Sequence, residues 1–255
     1  MLQQTQAQTV VAPFERWVSA FPDPASCASA GPAAALRAWE GLGYNRRALN
    51  LQRAAVLITE AHGGRVPSER VELEALPGVG PYTARAVMAF AFEADVGVVD
   101  TNVHRVLSRA VAGRHLGPTE TQVLADRLVP SGQGWAYNQT LFDIGAAHCR
   151  PRNPDCPECP LVAICEWATG GRALPDPARS PRRQSRFIGS DRQGRGRLVA
   201  ALRRGPLGPN ELAPASGWAD EPARAMRVAD ELVSDGLAAW IADGTLGLPD
   251  GPRSG

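Results

Sequence analysis

The chain has 255 residues, 44% hydrophobic and 21% charged, with a formal net charge of +1. That length can bury a real core, and the composition is ordinary for a globular protein. No apolar run is long enough for a membrane-spanning helix, and the polar stretch from Met1 to Val11 lacks a secretory pattern. All 27 basic residues are arginine, none lysine, which excludes any mechanism through a lysine Schiff base.

Apolar residues recur at helical spacing from residue 1 to about residue 170, in segments separated by Gly and Pro. They predict helices over Gln3–Phe21, Ala33–Trp39, Arg46–His62, Ser68–Leu76, Tyr82–Phe92, Thr101–Val111, Glu120–Val129 and Ala136–Cys149. Strand-like alternation is almost absent. Residues 171–194, rich in Arg, Ser and Gly, read as a linker. A smaller unit, 195–255, follows: a helix over Arg195–Arg204, a short one near Asn210–Ala213, a third over Glu221–Asp235, then a hairpin turning at Asp243-Gly244. That is the order of a winged helix. The fold class expected is mainly α.

Charge is unevenly spread. From Arg150 to Arg204 there are 12 arginines against 5 acids, a local balance of +7. Such a stretch is a footprint for phosphate or a solvated linker.

Four of the five cysteines form the pattern C-x6-C-x2-C-x5-C at Cys149, Cys156, Cys159 and Cys165. Short Pro-rich loops let four thiolates converge on one centre, either an iron–sulfur cluster or a structural zinc. Cys27 stands apart and reads as a small buried apolar residue. Leu76-Pro77-Gly78-Val79-Gly80 separates two helical patterns and delivers a helix N-terminus, a setting that favours phosphate. Asp100 stands before the next apolar-periodic helix. It reads as an N-cap, or as a carboxylate poised near a cationic intermediate.

Together these pieces resemble the helix-hairpin-helix DNA glycosylase superfamily. Within it the similarity is to the adenine DNA glycosylases, the MutY family. It is carried by Met1-Leu2-Gln3-Gln4-Thr5-Gln6, Gly41-Leu42-Gly43-Tyr44, Leu76 to Thr83, Val99 to Val103, Asn138-Gln139 and Asp143 to Ala146, and covers residues 1 to about 170. The resemblance implies a helix-hairpin-helix domain over 1–170 with a [4Fe–4S] loop at 149–165. It implies hydrolysis of the N-glycosidic bond of adenine opposite 8-oxoguanine or guanine in double-stranded DNA, in base excision repair. Asp100 and Tyr82 would stabilise the developing sugar cation and Asn102 would position them. Gln139 would read the flipped adenine, while Gln3, Gln4, Leu42 and Tyr44 would meet the 8-oxoguanine and wedge the duplex. Gly78, Val79, Gly80, Arg150 and Arg152 would hold phosphates. A monomer in a bacterial cytoplasm, on the nucleoid, is expected.

Three departures stand out. The family's general-acid Glu lies two residues ahead of the M-L-Q-Q-T string, and the sequence given starts at that Met. The expectation is a truncated form with little activity until the upstream segment is restored. Residues 190–255 are too short and too helical for the β-rich lesion-reading domain of many members. Asn45 stands where a second aromatic is common. Two rival readings remain: a non-catalytic iron–sulfur DNA-binding protein, and a glycosylase for another mispaired base such as thymine.

Overall fold

The computed structural model describes residues 1–172, 176–178 and 186–249; the expected linker lies partly outside them. The chain divides into two compact units, one built from 1–67, 76–78 and 186–249, the other from 68–75 and from 79 to 178.

The first unit begins with α1 (Ala7–Ala20), α2 (Pro24–Ala38) and α3 (Arg46–Ala61). Helix α1 starts at Ala7 rather than Gln3, because Gln4 takes φ +57° and no helical turn passes through it. Helix α2 is longer than expected. Asp23 and Ser26 form a reciprocal capping box with Pro24 at the first helical position. Gly31 (φ +76°, ψ 176°) is not helical and separates two helical runs, so the boundary expected before Ala33 is present and the run ahead of it, from Pro24, is the one the sequence did not show.

Residues 186–249 complete this unit. Here α10 (Asp191–Leu202), α11 (Leu212–Ser216) and α12 (Pro222–Ser234) precede an antiparallel pair, β1 (Ala239–Trp240) and β2 (Leu246–Gly247). Leu207 bridges to Leu246 on that pair, and Gly244 (φ +81°) supplies the hairpin turn. The winged-helix order is therefore present. However, these helices do not close on a core of their own. Leu198, Leu202, Leu232 and Leu246 share one buried cluster with Trp17, Leu36, Trp39 and Leu49. Thus the compact units divide differently from the domains expected at 1–170 and 195–255.

The second unit holds α4 (Arg70–Ala75), α5 (Pro81–Ala91) and α6 (Thr101–Val106), the last running on as a π-helical turn over Leu107–Val111. Then come α7 (Pro118–Leu128), α8 (Gly134–Ala147) and short α9 (Glu166–Thr169). Val103, Val106, Leu107, Leu116, Leu141 and Ile144 form its core. Gly145 is required where α8 meets α6, since a Cβ there would stand 2.7 Å from the Asn102 Cβ. Among the described residues no helix is long and apolar enough to cross a membrane.

Candidate active site

In the second unit Asp100 is the N-cap of α6. Its Oδ1 accepts from the amides of Asn102 (2.8 Å) and Val103 (2.7 Å), and its Oδ2 accepts from Asn102 Nδ2 (3.0 Å). The capping reading of the sequence is what the structure shows, and the cap fixes the carboxylate's direction. Asn102 Oδ1 in turn accepts from Arg105 Nη2 (2.7 Å). Arg105 is buried and also donates to the carbonyls of Gly145 (2.8 Å), Thr101 (3.4 Å) and Cys149. A hydrogen-bonded path thus runs from Asp100 to the backbone of Cys149. Sequence reasoning had singled out Asn102 but not Arg105; an arginine one turn beyond an Asp-x-Asn cap was the available signal.

The approach to Asp100 is held as firmly. Buried Asn138 accepts from the Val98 amide (2.7 Å) and donates to the carbonyls of Val96 and Gly134 (both 2.8 Å). Asp126 accepts from the Gly97 amide (2.8 Å), while Arg85 (3.2 Å) and Gln122 (2.9 Å) donate to the Gly97 carbonyl. Tyr82 opens α5 and is partly exposed. Burial first, and the Asp100 charge second, hold its phenol above the ordinary pKa. Gln139, on α8, donates from its Nε2 to Asp143 Oδ1 (2.9 Å) on the helix surface. Gly80 is the N-cap of α5, with Pro81 at the first helical position. Gly78 (φ +80°) could not carry a Cβ, which would lie 2.7 Å from Asn50 Cβ.

In the first unit, the N-terminal residues and the Gly41–Asn45 turn are tied by Arg47. Its guanidinium donates to the carbonyls of Met1 (2.7 Å), Gln3 and Gly43 (2.9 Å) and to Thr5 Oγ1 (2.9 Å). It also lies 5.5 Å from the Tyr44 ring and 5.3 Å from that of Trp39. Gln4 (φ +57°) and Tyr44 (φ +56°) both take the left-handed conformation that side chains other than Asn and Gly rarely adopt. Tyr44 is 47% exposed. Leu42 is placed otherwise than expected for a wedge: it is 3% exposed and belongs to the core, because the turn closing from Trp39 folds it inward. Gln3 Nε2 donates to the Gly78 carbonyl (3.4 Å).

All five cysteines are free thiols. Burial pushes Cys27 up to about 11, an inert core thiol. Cys149, Cys156, Cys159 and Cys165 line a single cavity walled by Val106, Ala110, Ile144 and Leu161. Among the described residues no three His, Cys, Asp or Glu side chains are grouped so as to hold a metal ion. Buried Arg109, in the π-helical turn, donates to the Cys149 sulfur (3.5 Å) and the Arg150 carbonyl (2.9 Å) and is paired with Asp176. Arg150 and Arg152 are exposed beside this loop.

Residues 1–130 match the family described as HhH-GPD superfamily base excision DNA repair protein. Over 251 residues the chain is 40% identical to the adenine DNA glycosylase of Mycolicibacterium smegmatis, spanning 97% of this chain and 84% of that one. The chain belongs to the HhH-GPD superfamily. It is a base excision DNA glycosylase, a hydrolase. The human adenine DNA glycosylase is 39% identical over 174 residues, 65% of this glycosylase and 31% of the human chain. Among solved structures, a thermostable thymine-DNA glycosylase superposes with a TM-score of 0.62 at 30% identity, over 66% of this chain and 80% of its own. An endonuclease III–DNA covalent intermediate superposes at 0.59 and 26%, over 67% and 81%. The mainly helical fold expected of the superfamily is the one observed.

Proposed function

We propose that this glycosylase excises adenine mispaired with 8-oxoguanine or guanine in double-stranded DNA. The observation carrying the reading is the oriented Asp100 carboxylate, with a protonated Tyr82 beside it, in a chain 40% identical to an adenine glycosylase over nearly its whole length. Bond cleavage leaves positive charge on the sugar. A fixed carboxylate stabilises that charge without reorganising. Asn102 and Arg105 keep it aimed, and Tyr82 supplies a neutral hydroxyl. Gln139 offers donor and acceptor to the edge of the flipped base. Gln3, Gln4 and exposed Tyr44 meet the partner base. The Gly78–Gly80 amides, Arg150 and Arg152 take phosphates.

Cys149, Cys156, Cys159 and Cys165 would hold a [4Fe–4S] cluster. The donor set fits: four free thiols around one apolar cavity, with the Arg109 guanidinium offsetting thiolate charge. Bound there, the cluster would supply a rigid charged cross-link for the Arg150–Arg152 loop, with no redox step on the base.

The test gives the protein duplexes with A opposite 8-oxoguanine, A opposite G, A opposite T, and T opposite G. Free adenine from the first two is expected, together with stoichiometric iron and acid-labile sulfide. Thymine from the last would favour the thymine reading, motivated by the thymine-DNA glycosylase neighbour. No released base from any duplex would sink both.

A further inference from the structure

The C-terminal residues 186–249 have the winged-helix order, yet their charges face inward on one another. They carry eight arginines and eight acids. On α12, Arg224 pairs with Asp191 and Glu221, and Arg227 pairs with Asp191 and Glu231. Arg195 pairs with Glu231 and Asp235, and Trp240 Nε1 donates to Asp230 Oδ1 (3.1 Å). A helix meant for DNA would leave such cations for phosphate. These are committed to acids within the unit instead.

One arginine is used differently. Arg203 follows the last residue of α10 and is half-buried. Its Nε donates to the Leu36 carbonyl in the last turn of α2 (2.9 Å), and its Nη2 donates to Asn45 Oδ1 (2.7 Å). Asn45 is the residue after Tyr44. At the same end of α3, Arg46 reaches Asp235 (3.6 Å), and Gly236 (φ +72°) lies close to the Arg53 guanidinium. Tyr44 holds a backbone conformation that persists only when its surroundings over-determine it. Arg47 grips the turn at Gly43, before Tyr44, and Arg203 grips it at Asn45, after Tyr44.

We propose that residues 186–249 serve as a brace for the 41–45 turn, and that Arg203, through Asn45, is the positioning residue that holds Tyr44 in its lesion-facing posture. This rests on the reading that Tyr44 meets the base opposite the adenine. A shape held this way gives discrimination between partner bases, while bond cleavage is left to Asp100.

The test compares the full chain with Arg203→Ala, Asn45→Ala, Asn45→Asp and the Arg203→Ala/Asn45→Ala double variant. Three readouts are taken: amide hydrogen exchange of residues 41–47 without DNA, the affinity ratio for uncleavable A·8-oxoguanine over A·T duplexes, and the rate of adenine release at saturating enzyme. Each alanine variant should speed exchange at 41–47 and lower the affinity ratio about fivefold to tenfold, the worth of one charge-assisted hydrogen bond, with the saturated rate unchanged. The double variant should be no worse than either single one, and Asn45→Asp, which keeps an acceptor, should retain the ratio. Asn45→Ala leaves α10 and its core intact, so it decides the matter even if Arg203→Ala unfolds. Unchanged exchange and ratio in Asn45→Ala, or additive losses in the double variant, would overturn the brace. Faster exchange with no wild-type preference for 8-oxoguanine would uphold the brace and remove Tyr44 from lesion reading.

Discussion

Two loops in this glycosylase are fixed by different sets of partners. The segment from Asp95 to Asp100 is held at amides and carbonyls alike: the Gly97 and Val98 amides donate to Asp126 and Asn138, and the Val96 and Gly97 carbonyls accept from Asn138, Arg85 and Gln122. The turn from Gly41 to Asn45 and the chain beside it are held through carbonyls, which accept from Arg16, Arg47, Arg203 and Trp39. The first arrangement delivers a negative charge to one point and surrounds it with neutral donors. The second keeps a side chain exposed in a disfavoured conformation by clamping the backbone around it with planar, many-donor guanidiniums. A loop that must present charge and a turn that must present shape call for different scaffolding.

Breaking the charged point should have the largest effect. Asp100→Asn keeps a capping side chain but removes the anion, so base release should fall about 10²–10³-fold, with the urea midpoint nearly unchanged. An equal loss of stability and activity would mean that Asp100 acts only as a cap. Asn138→Ala strips partners from a buried amide and carbonyl, and should cost about 3 kcal/mol in urea unfolding. A cost under about 1 kcal/mol would mean water replaces the carboxamide. Arg47→Ala should lose about 2 kcal/mol and the exchange protection of residues 1–5, whereas Arg47→Lys, a point charge with no fork, should recover only part. Full recovery by lysine would undo the contrast between the loops.

The smallest effect concerns Tyr137, whose phenol is raised to about 12 by burial and then by the Asp126 charge. The folded state keeps this proton above the unfolded value of about 10. Its contribution is therefore whole below that pH and fades as pH rises to about 12. Tyr137→Phe should flatten the alkaline limb of the stability curve, and an unaltered limb would place the alkaline transition elsewhere.

Much of the site was legible in the sequence because it is local. The Asp100 cap and its amides lie within four residues, and the cysteine spacing fits one 17-residue loop. What escaped was long-range or locally contradictory. The helical run from Pro24 to Ala30, ahead of the Gly31-Pro32 break, is made of small residues that carry little apolar periodicity. Leu42 carries the same Gly-flanked signal as Tyr44, and only the packing separates buried from exposed. Arg47 and Arg203 were invisible as clamps because their acceptors are mostly backbone carbonyls, which leave no mark in the side-chain sequence. The shared core of Leu36 and Leu49 with Leu198 and Leu202 joins segments that look self-sufficient.

That shared core also bears on synthesis. Residues 1–67 leave the ribosome well before residues 186–249, which complete their cluster. The apolar faces around Leu36 and Leu49 therefore wait uncovered while the second unit is translated. Closing so long a loop adds only about 0.6 kcal/mol per doubling of its length, so the burden is one of time rather than equilibrium. During that interval the nascent chain offers a chaperone-sized apolar surface, and nonsense or frameshift products that stop before Leu198 would keep it exposed for good.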